Sequence, residues 1–355
     1  MRKAIGILVP KRMVEETLRI LRKAQLVDSS LEFSRTQDLV AIPLLHEPSD
    51  QEAVMLSRSL RTADFQQILF AERKAEFRDL QETVRGRVPV NLYSSLPRSF
   101  DVIGDIVVVD LPEELQSIAS TVGHAILELH PQLRLVLRKS SRVSGIFRTR
   151  TFQVIAGSGS TETIYREFGC AFRLDVAAVY FNPRLSHERM RVAKQVERSE
   201  ILVDMFAGVG PYSVLTAKLQ PEARVYSVDI NPTALKYLNE NVFLNGVADR
   251  VIPILGDARE LAATSLRGAA SRVVMNLPSE AQRFLSAAAQ VLKAQGGIIH
   301  YYTFASRNES VTTVEDEIQS EIERQGRKVE AFTYGKMIKE VAPNRVQFAV
   351  DALVK

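Results

Sequence analysis

Between residues 184 and 304, short apolar runs alternate strictly with stretches of helical periodicity, and this alternation limits the possible folds more than any other feature of the chain. The apolar runs are 201–206 (ILVDMF), 223–230 (ARVYSVDI), 250–256 (RVIPILG), 271–277 (SRVVMNL) and 296–304 (GGIIHYYTF). The helical stretches are 184–196, 212–219, 232–245, 258–264 and 279–293. A near-continuous apolar run is a strand buried on both faces, and a helix after each strand returns the chain to start the next one in the same direction. The pattern therefore predicts an α/β fold built on a doubly wound, parallel sheet. Ligands of such sheets bind beyond the carboxyl ends of the strands, so those ends carry the functional information.

Four consecutive strand ends each carry an acid or an amide. The first ends in DMFAGVGPYS, with Asp204 followed by Gly208 and Gly210, two glycines that allow a tight turn and close approach of a ligand to the backbone. Asp229 closes the second run, at a position where a carboxylate accepts from ribose hydroxyls. Asp257 closes the third and Asn276 the fourth, within VVMNLPSEAQ. Helix capping would account for the acids but not for the glycine loop. A dinucleotide calls for GxGxxG, and Ser213 stands where the third glycine would be, with no substitute basic residue, which points to a ligand without phosphates. An asparagine at the tip of a buried strand needs partners for its amide, and a bound ligand would offer them. Pro278 fixes the backbone after it and is expected to open the next helix.

Upstream, the chain reads as two smaller α+β blocks. Residues 3–9 form a strand pattern, 11–26 an amphipathic helix with Val14, Leu18, Leu21 and Leu26 on one face, and 31–45 two short strands. Pro48, Ser49 and Asp50 break the pattern and mark an exit linker. A second block starts near residue 75, with a strand pattern at 100–112, a helix at 112–131 and further strand-like runs. The expected domains are 1–70, 71–166 and 167–355. Basic residues gather near the last junction. Gln132–Arg150 holds six and no acid, and Arg184–Lys194 holds four with Glu188 as the one acid. That placement suits a nucleic-acid partner. Cys170 is the single cysteine, which excludes an intrachain disulfide, and the five histidines (46, 124, 130, 187 and 300) form no close ligand pair, so no metal is expected. No run reaches the ~20 apolar residues of a membrane span. The start, MRKAIGILVPKR, lacks a cleavage site, so a cytoplasmic protein is expected, and with no long apolar seam a monomer.

Taken together, DMFAGVGPYS, VYSVDINP, LGDAR and VMNLP resemble the motifs of class I methyltransferases, which bind S-adenosyl-L-methionine. The likeness narrows further. GIFRTR, VYFNPRLSHERMR, DMFAGVGP, DINP, NLP, GGIIHYYTF and APNRVQFAVD are similar, in order and approximate spacing, to the archaeal and eukaryotic tRNA (guanine-37, N1)-methyltransferases, the Trm5 family. The first module and SFDVIGDIVVV also resemble that family's first two domains, so the likeness covers nearly the whole chain.

The resemblance implies a class I methyltransferase sheet preceded by two small domains, of which the first checks tRNA shape far from the methylated base. It implies S-adenosyl-L-methionine as cofactor and a tRNA with guanosine at position 37 as partner. Methylating N1 of guanine requires a base for the N1 proton, a cation where charge builds on O6, and a nucleobase out of its stack. By resemblance Glu188 in PRLSHER is the general base, Arg148 in GIFRTR the cation at O6, and Tyr180 the ring against guanine, with Asn276 at the base edge or near the methyl donor. Arg189 touches cofactor or substrate. Asp204, Phe206, Gly208, Gly210, Asp229, Ile230, Asp257, Ala258, Asn276 and Pro278 hold the cofactor. From its residues alone Glu188 reads as a solvated helix carboxylate paired with an arginine at i+3 or i−4, and only its place in PRLSHER reverses that. Asn-Leu-Pro-Ser, in place of the Asn-Pro-Pro-Tyr of amino-group methyltransferases, favours a ring nitrogen as target. Rival readings stay open: a wybutosine-pathway aminocarboxypropyl transferase using the same cofactor, further methylation of a tricyclic guanosine at position 37, and a nucleic-acid-binding module with a vestigial cofactor site. A nicotinamide-dependent dehydrogenase is disfavoured by Ser213.

Overall fold

The computed structural model describes residues 2–355 except 25, 29, 37, 50–51, 53–55, 57–59, 61–63, 72–78 and 142. The expected start of the second block, near residue 75, lies outside the described residues. The chain forms two compact units, Met1–Glu82 and Thr83–Lys355.

In the first unit β1 (Arg2–Pro10) is followed by a helix (Val14–Lys23), β2 (Ser34–Arg35), β3 (Leu39–Pro43) and β4 (Asp64–Phe70). They form a sheet of order β2-β3-β1-β4 with antiparallel pairing throughout. The helix carries Glu15 and Glu16 in its first turn and Arg22 and Lys23 in its last, the arrangement its dipole favours. Ile7, Val9, Leu21, Val40 and Ile42 make the core. The pairing of β4 with β1 was not anticipated, because Gln66 and Gln67 interrupt its apolar residues.

The second unit opens with β5 (Asp101–Ile103), β6 (Ile106–Val109), β7 (Leu135–Lys139) and β8 (Phe152–Gly157), a four-stranded sheet in that order, with the helix Ala119–Leu129 against β8. The single strand expected at 100–112 is in fact a hairpin, because Gly104 at φ +61 turns the chain. A two-stranded ribbon of β9 (Glu162–Glu167) and β10 (Cys170–Asp175) follows.

The main sheet contains β11 (Ile201–Asp204), β12 (Arg224–Asp229), β13 (Val251–Leu255), β14 (Arg272–Met275) and β15 (Gly297–Ser306), all parallel. A C-terminal hairpin of β16 (Val329–Ala342) and β17 (Arg345–Val354) completes it, giving the order β13-β12-β11-β14-β15-β17-β16 with β17 antiparallel to both neighbours. The doubly wound sheet is as expected, extended by this hairpin. The strand order reverses at β11, between β12 and β14, and such a reversal leaves a crevice beyond the strand ends. Pro278 does not open a helix. Residues 278–280 form a turn, a 3-10 segment covers Ala281–Phe284, and the helix proper is Leu285–Val291.

Two asparagines on the helix Pro232–Leu244 and its cap hold β10 from its outer side. Asn241 accepts from the Arg173 N–H at 2.7 Å and donates to the Arg173 and Val209 carbonyls at 3.0 and 2.9 Å. Asn245 accepts from the Ala171 N–H at 2.9 Å and donates to the Ala171 carbonyl at 2.7 Å. Four helical residues rise about 6 Å and two strand residues about 6.6 Å, so amides at i and i+4 match backbone groups at j and j−2. Asn241→Ala would leave one buried and two part-buried backbone groups without this partner, and at about 1 kcal/mol for each the unfolding free energy should fall by roughly 2–3 kcal/mol. Urea denaturation measures this, and an unchanged midpoint would exclude the amide as an anchor.

Candidate active site

A cavity of about 580 Å³ opens over the carboxyl ends of β11, β12 and β14. Its floor is the glycine loop. Gly208 and Gly210 adopt φ +56 and +88, and a Cβ on Gly210 would come within 2.3 Å of Leu238, so both the conformation and the space call for glycine. Asp229 fixes this loop. One carboxylate oxygen accepts from the Gly208 N–H at 2.7 Å and the other from the Asn231 N–H at 2.8 Å. Burial raises its pKa above the usual carboxylate value, and the backbone donors oppose that rise.

Asp204, expected among the cofactor contacts, is fully buried and is not among the described residues lining the cavity. The Ser213 hydroxyl donates to it at 2.9 Å from the first turn of the helix Pro211–Leu219. The residue that replaces a third glycine thus anchors the strand end from beneath the loop.

Asp257 does line the cavity, but Arg259 covers both of its oxygens, with Nε at 3.1 Å and a terminal nitrogen at 2.6 Å. That hydrogen-bonded guanidinium depresses its pKa. Arg259 lies 5.0 Å from the Phe284 ring centre, and Phe284 meets Phe206 edge-on at 4.8 Å. Arg259 closes the LGDAR motif but was not singled out there, and Phe284 was missed because it sits in no recognised motif. Phe206, Ile230 and Ala258 line the same wall.

A second cavity of about 460 Å³ shares Arg148, Tyr180 and Asn276 with the first. Among the described residues the Asn276 amide oxygen is buried without a hydrogen-bond partner, an acceptor left for a bound molecule. Arg148 stands at φ +57, a left-handed conformation rare for a side chain of this size, and reaches across to the Ser279 hydroxyl and to Glu280 at 3.5 Å. Tyr180 is half exposed. Pro278 lines the second cavity and not the first. Lys139, Arg148, Arg150, Arg184 and Lys339 outnumber the acids Asp101, Asp110 and Glu340 in that cavity, with Arg184 2.6 Å from Asp101 and Lys139 4.0 and 3.9 Å from Asp101 and Asp110. Burial, reinforced by Arg184, lowers Lys339 to about 8.

Arg189 lines the first cavity at 2% exposure, with two nitrogens at 2.6 Å from the Glu167 carboxylate and a third 3.0 Å from the Asn182 carbonyl. It braces the 180–182 segment and has few donors left for a ligand. Glu188 is not among the described residues lining either cavity. Its carboxylate accepts from Arg191 Nε at 2.9 Å, the Tyr302 hydroxyl at 3.2 Å and the Tyr334 hydroxyl at 3.3 Å. The i+3 arginine pair read from the sequence is therefore present, at a part-buried rather than a solvated position.

Three family models match in succession: a tRNA methyltransferase 5 N-terminal domain at 6–52, a TYW2 N-terminal domain at 80–161 and a TRM5/TYW2 methyltransferase domain at 163–331. The chain is 38% identical over 348 residues to the tRNA (guanine(37)-N(1))-methyltransferase Trm5b of Pyrococcus abyssi, covering 98% of each. It superposes on the complex of aTrm5 and tRNALeu with TM-score 0.69 at 29% identity, over 99% of this chain and 100% of that one. The TYW2 of M. jannaschii in complex with AdoMet matches at TM-score 0.57 and 29% identity, over 72% of this chain and 99% of its own.

Burial pushes the Asp204 carboxyl from its ordinary 3.8 up to about 7, against the opposing Ser213 hydrogen bond. The folded chain thus holds a proton that the unfolded chain releases at lower pH. This contribution to stability is fully present below 3.8 and is lost as pH rises through about 7. Asp204→Asn, which keeps the shape without the charge, should flatten the decline of Tm between about pH 4 and pH 7. Thermal melts with the wild-type pH slope would exclude Asp204 as the titrating group.

Proposed function

The chain belongs to the TRM5/TYW2 methyltransferase family, and on that premise we propose that it transfers the methyl group of S-adenosyl-L-methionine to N1 of guanosine 37 in tRNA. The observation that carries the proposal is the pair of adjoining cavities with Arg148, Tyr180 and Asn276 on their common boundary. The first is of ordinary size for a small-molecule site, and the basic second one suits a nucleotide.

S-adenosyl-L-methionine, when bound, supplies a methyl group activated on a positively charged sulfur. The orphaned Asn276 oxygen and the glycine cradle fit such a ligand. Each oxygen of Asp229 keeps a lone pair beyond its backbone donor and accepts from ribose hydroxyls. Phe206, Ile230 and Phe284 give an aromatic ring apolar contact, with Asp257 and Ala258 at its edge. Asp204, Pro278 and Arg189 act through the backbone they hold. On the other side Tyr180 packs against the guanine, and Arg148 exchanges Ser279 and Glu280 for O6 as charge builds there. Glu188 takes the N1 proton after exchanging its phenol donors. Lys139, Arg150 and Lys339 neutralise backbone phosphates of the anticodon loop. We keep the functional division at 1–70, 71–166 and 167–355, with the first module reading tRNA away from the reacting base, the guanosine itself required, and the protein acting as a monomer.

Aminocarboxypropyl transfer is the weaker reading. The match at 6–52 is to a tRNA methyltransferase 5 domain, and the methyltransferase relative covers 98% of this chain against 72% for the TYW2 structure.

Labelled methyl transfer to tRNA transcripts carrying guanosine or adenosine at position 37 tests the proposal. Label should enter only the guanosine transcript, and Glu188→Gln and Arg148→Ala should each slow the reaction by about 10²–10³-fold while cofactor binding persists. Failure to label either transcript would overturn methyl transfer to this substrate. A product heavier by an aminocarboxypropyl group would move the assignment to the rival.

A further inference from the structure

A line of buried polar side chains runs from the start of β11 to the Glu188 carboxylate. Glu200 holds Arg272 on both oxygens, at 3.0 and 3.3 Å. Arg272 donates to His300 Nε2 at 2.9 Å, and His300 Nδ1 donates to Asp351 at 2.7 Å. Asp351 receives both terminal nitrogens of Arg191, one of them at 3.1 Å, and Arg191 gives its remaining Nε to Glu188. His300 and Asp351 are 0% and 1% exposed.

The protonation of this line is settled by its neighbours. Arginine only donates and an ionised carboxylate only accepts, so a neutral His300 with its proton on Nδ1 satisfies both sides. Burial lowers the His300 pKa, which agrees with a neutral ring. Burial alone would raise Asp351, but His300 and Arg191 outweigh it and hold the carboxyl well below the usual range.

The consequence lies in how Arg191 is shared. An arginine free to use both terminal nitrogens forms a bidentate pair with a carboxylate, the strongest and most rigid form of that contact. Here Asp351 occupies both, and the Tyr334 ring lies 3.8 Å from the guanidinium carbon and fixes its plane. Glu188 is left with one charged donor and two neutral phenols, a looser hold than a bidentate pair.

We propose that Asp351 and Tyr334 are positioning residues for methyl transfer, Asp351 by keeping Arg191 engaged and Tyr334 by its hydroxyl on Glu188, so that Glu188 is oriented yet free to exchange partners. The proposal rests on Glu188 acting as the base. Its test is a pair of mutant cycles in single-turnover methyl transfer to the guanosine-37 transcript, with cofactor Kd and tRNA KM measured alongside. Asp351→Asn should slow transfer about 10-fold or more with Kd and KM within about twofold. In the Glu188→Gln background the same substitution should cost less than about twofold, because its effect passes through Glu188. Tyr334→Phe, which removes one hydroxyl and keeps the ring, should also alter the transfer rate only when Glu188 is present, and it carries the test if Asp351→Asn does not fold. Equal losses in both backgrounds would mark a merely structural role and overturn the proposal, as would unchanged rates. Glu188→Gln at the wild-type rate would instead overturn the base assignment beneath it, and no transfer by the wild type would overturn the functional reading.

Discussion

The carboxylate of Asp229 is shared between the glycine loop after β11 and the start of the helix Pro232–Leu244, and the ligand site takes its shape from that sharing. A loop with two glycines at positive φ has many conformations open to it, and something must select one. Here the Gly208 N–H is held on one oxygen and the Asn231 N–H on the other. Asn231 caps the helix through the Thr233 N–H at 2.9 Å, and one turn beyond mid-helix Asn241 grips the Val209 carbonyl. The loop is thus held at two adjacent residues, Gly208 through Asp229 and Val209 through the helix. In buried surroundings each of these contacts is costly to leave unmade, which turns a flexible sequence into a single geometry.

The groups assigned to the chemistry are all engaged within the protein itself. Arg148 is tied to Ser279 and Glu280, Glu188 to Arg191 and two phenols, and Asp257 to Arg259. On the proposed roles these three groups would exchange partners when substrate and cofactor bind, and the net energy of each exchange is small compared with that of the bonds themselves. Asn276 is the exception, since its amide oxygen has no described partner to give up.

The methyltransferase sheet was legible because its strands are buried on both faces and separated by helices, so periodicity and topology agree. The C-terminal hairpin was not, because β16 mixes half-buried and exposed residues along VEAFTYGKMIKEVA and gives neither a clean alternation nor an apolar run. The strand ends were legible as positions, not as roles. Asp204 and Asp229 look alike in the sequence, yet one lies beneath the loop on Ser213 and the other in the wall of the cavity. What separates them is a contact nine residues away in the chain, which no local pattern encodes. The partners of Glu188 lie farther still, at Tyr302 and Tyr334, and only the sheet brings them together. Arg189 was expected by resemblance to touch cofactor or substrate; it lines the first cavity, and the sequence did not show that Glu167, in a strand with no motif, holds two of its nitrogens.

The two asparagine amides that hold β10 also bear on how the protein behaves in a crowded solution. An unpaired strand edge is a template on which a strand from another molecule can grow. The outward N–H and C=O groups of Ala171 and Arg173 are already taken by Asn245 and Asn241. A helix thus closes this edge without supplying a strand, and intermolecular β-pairing there would first have to break hydrogen bonds within the chain.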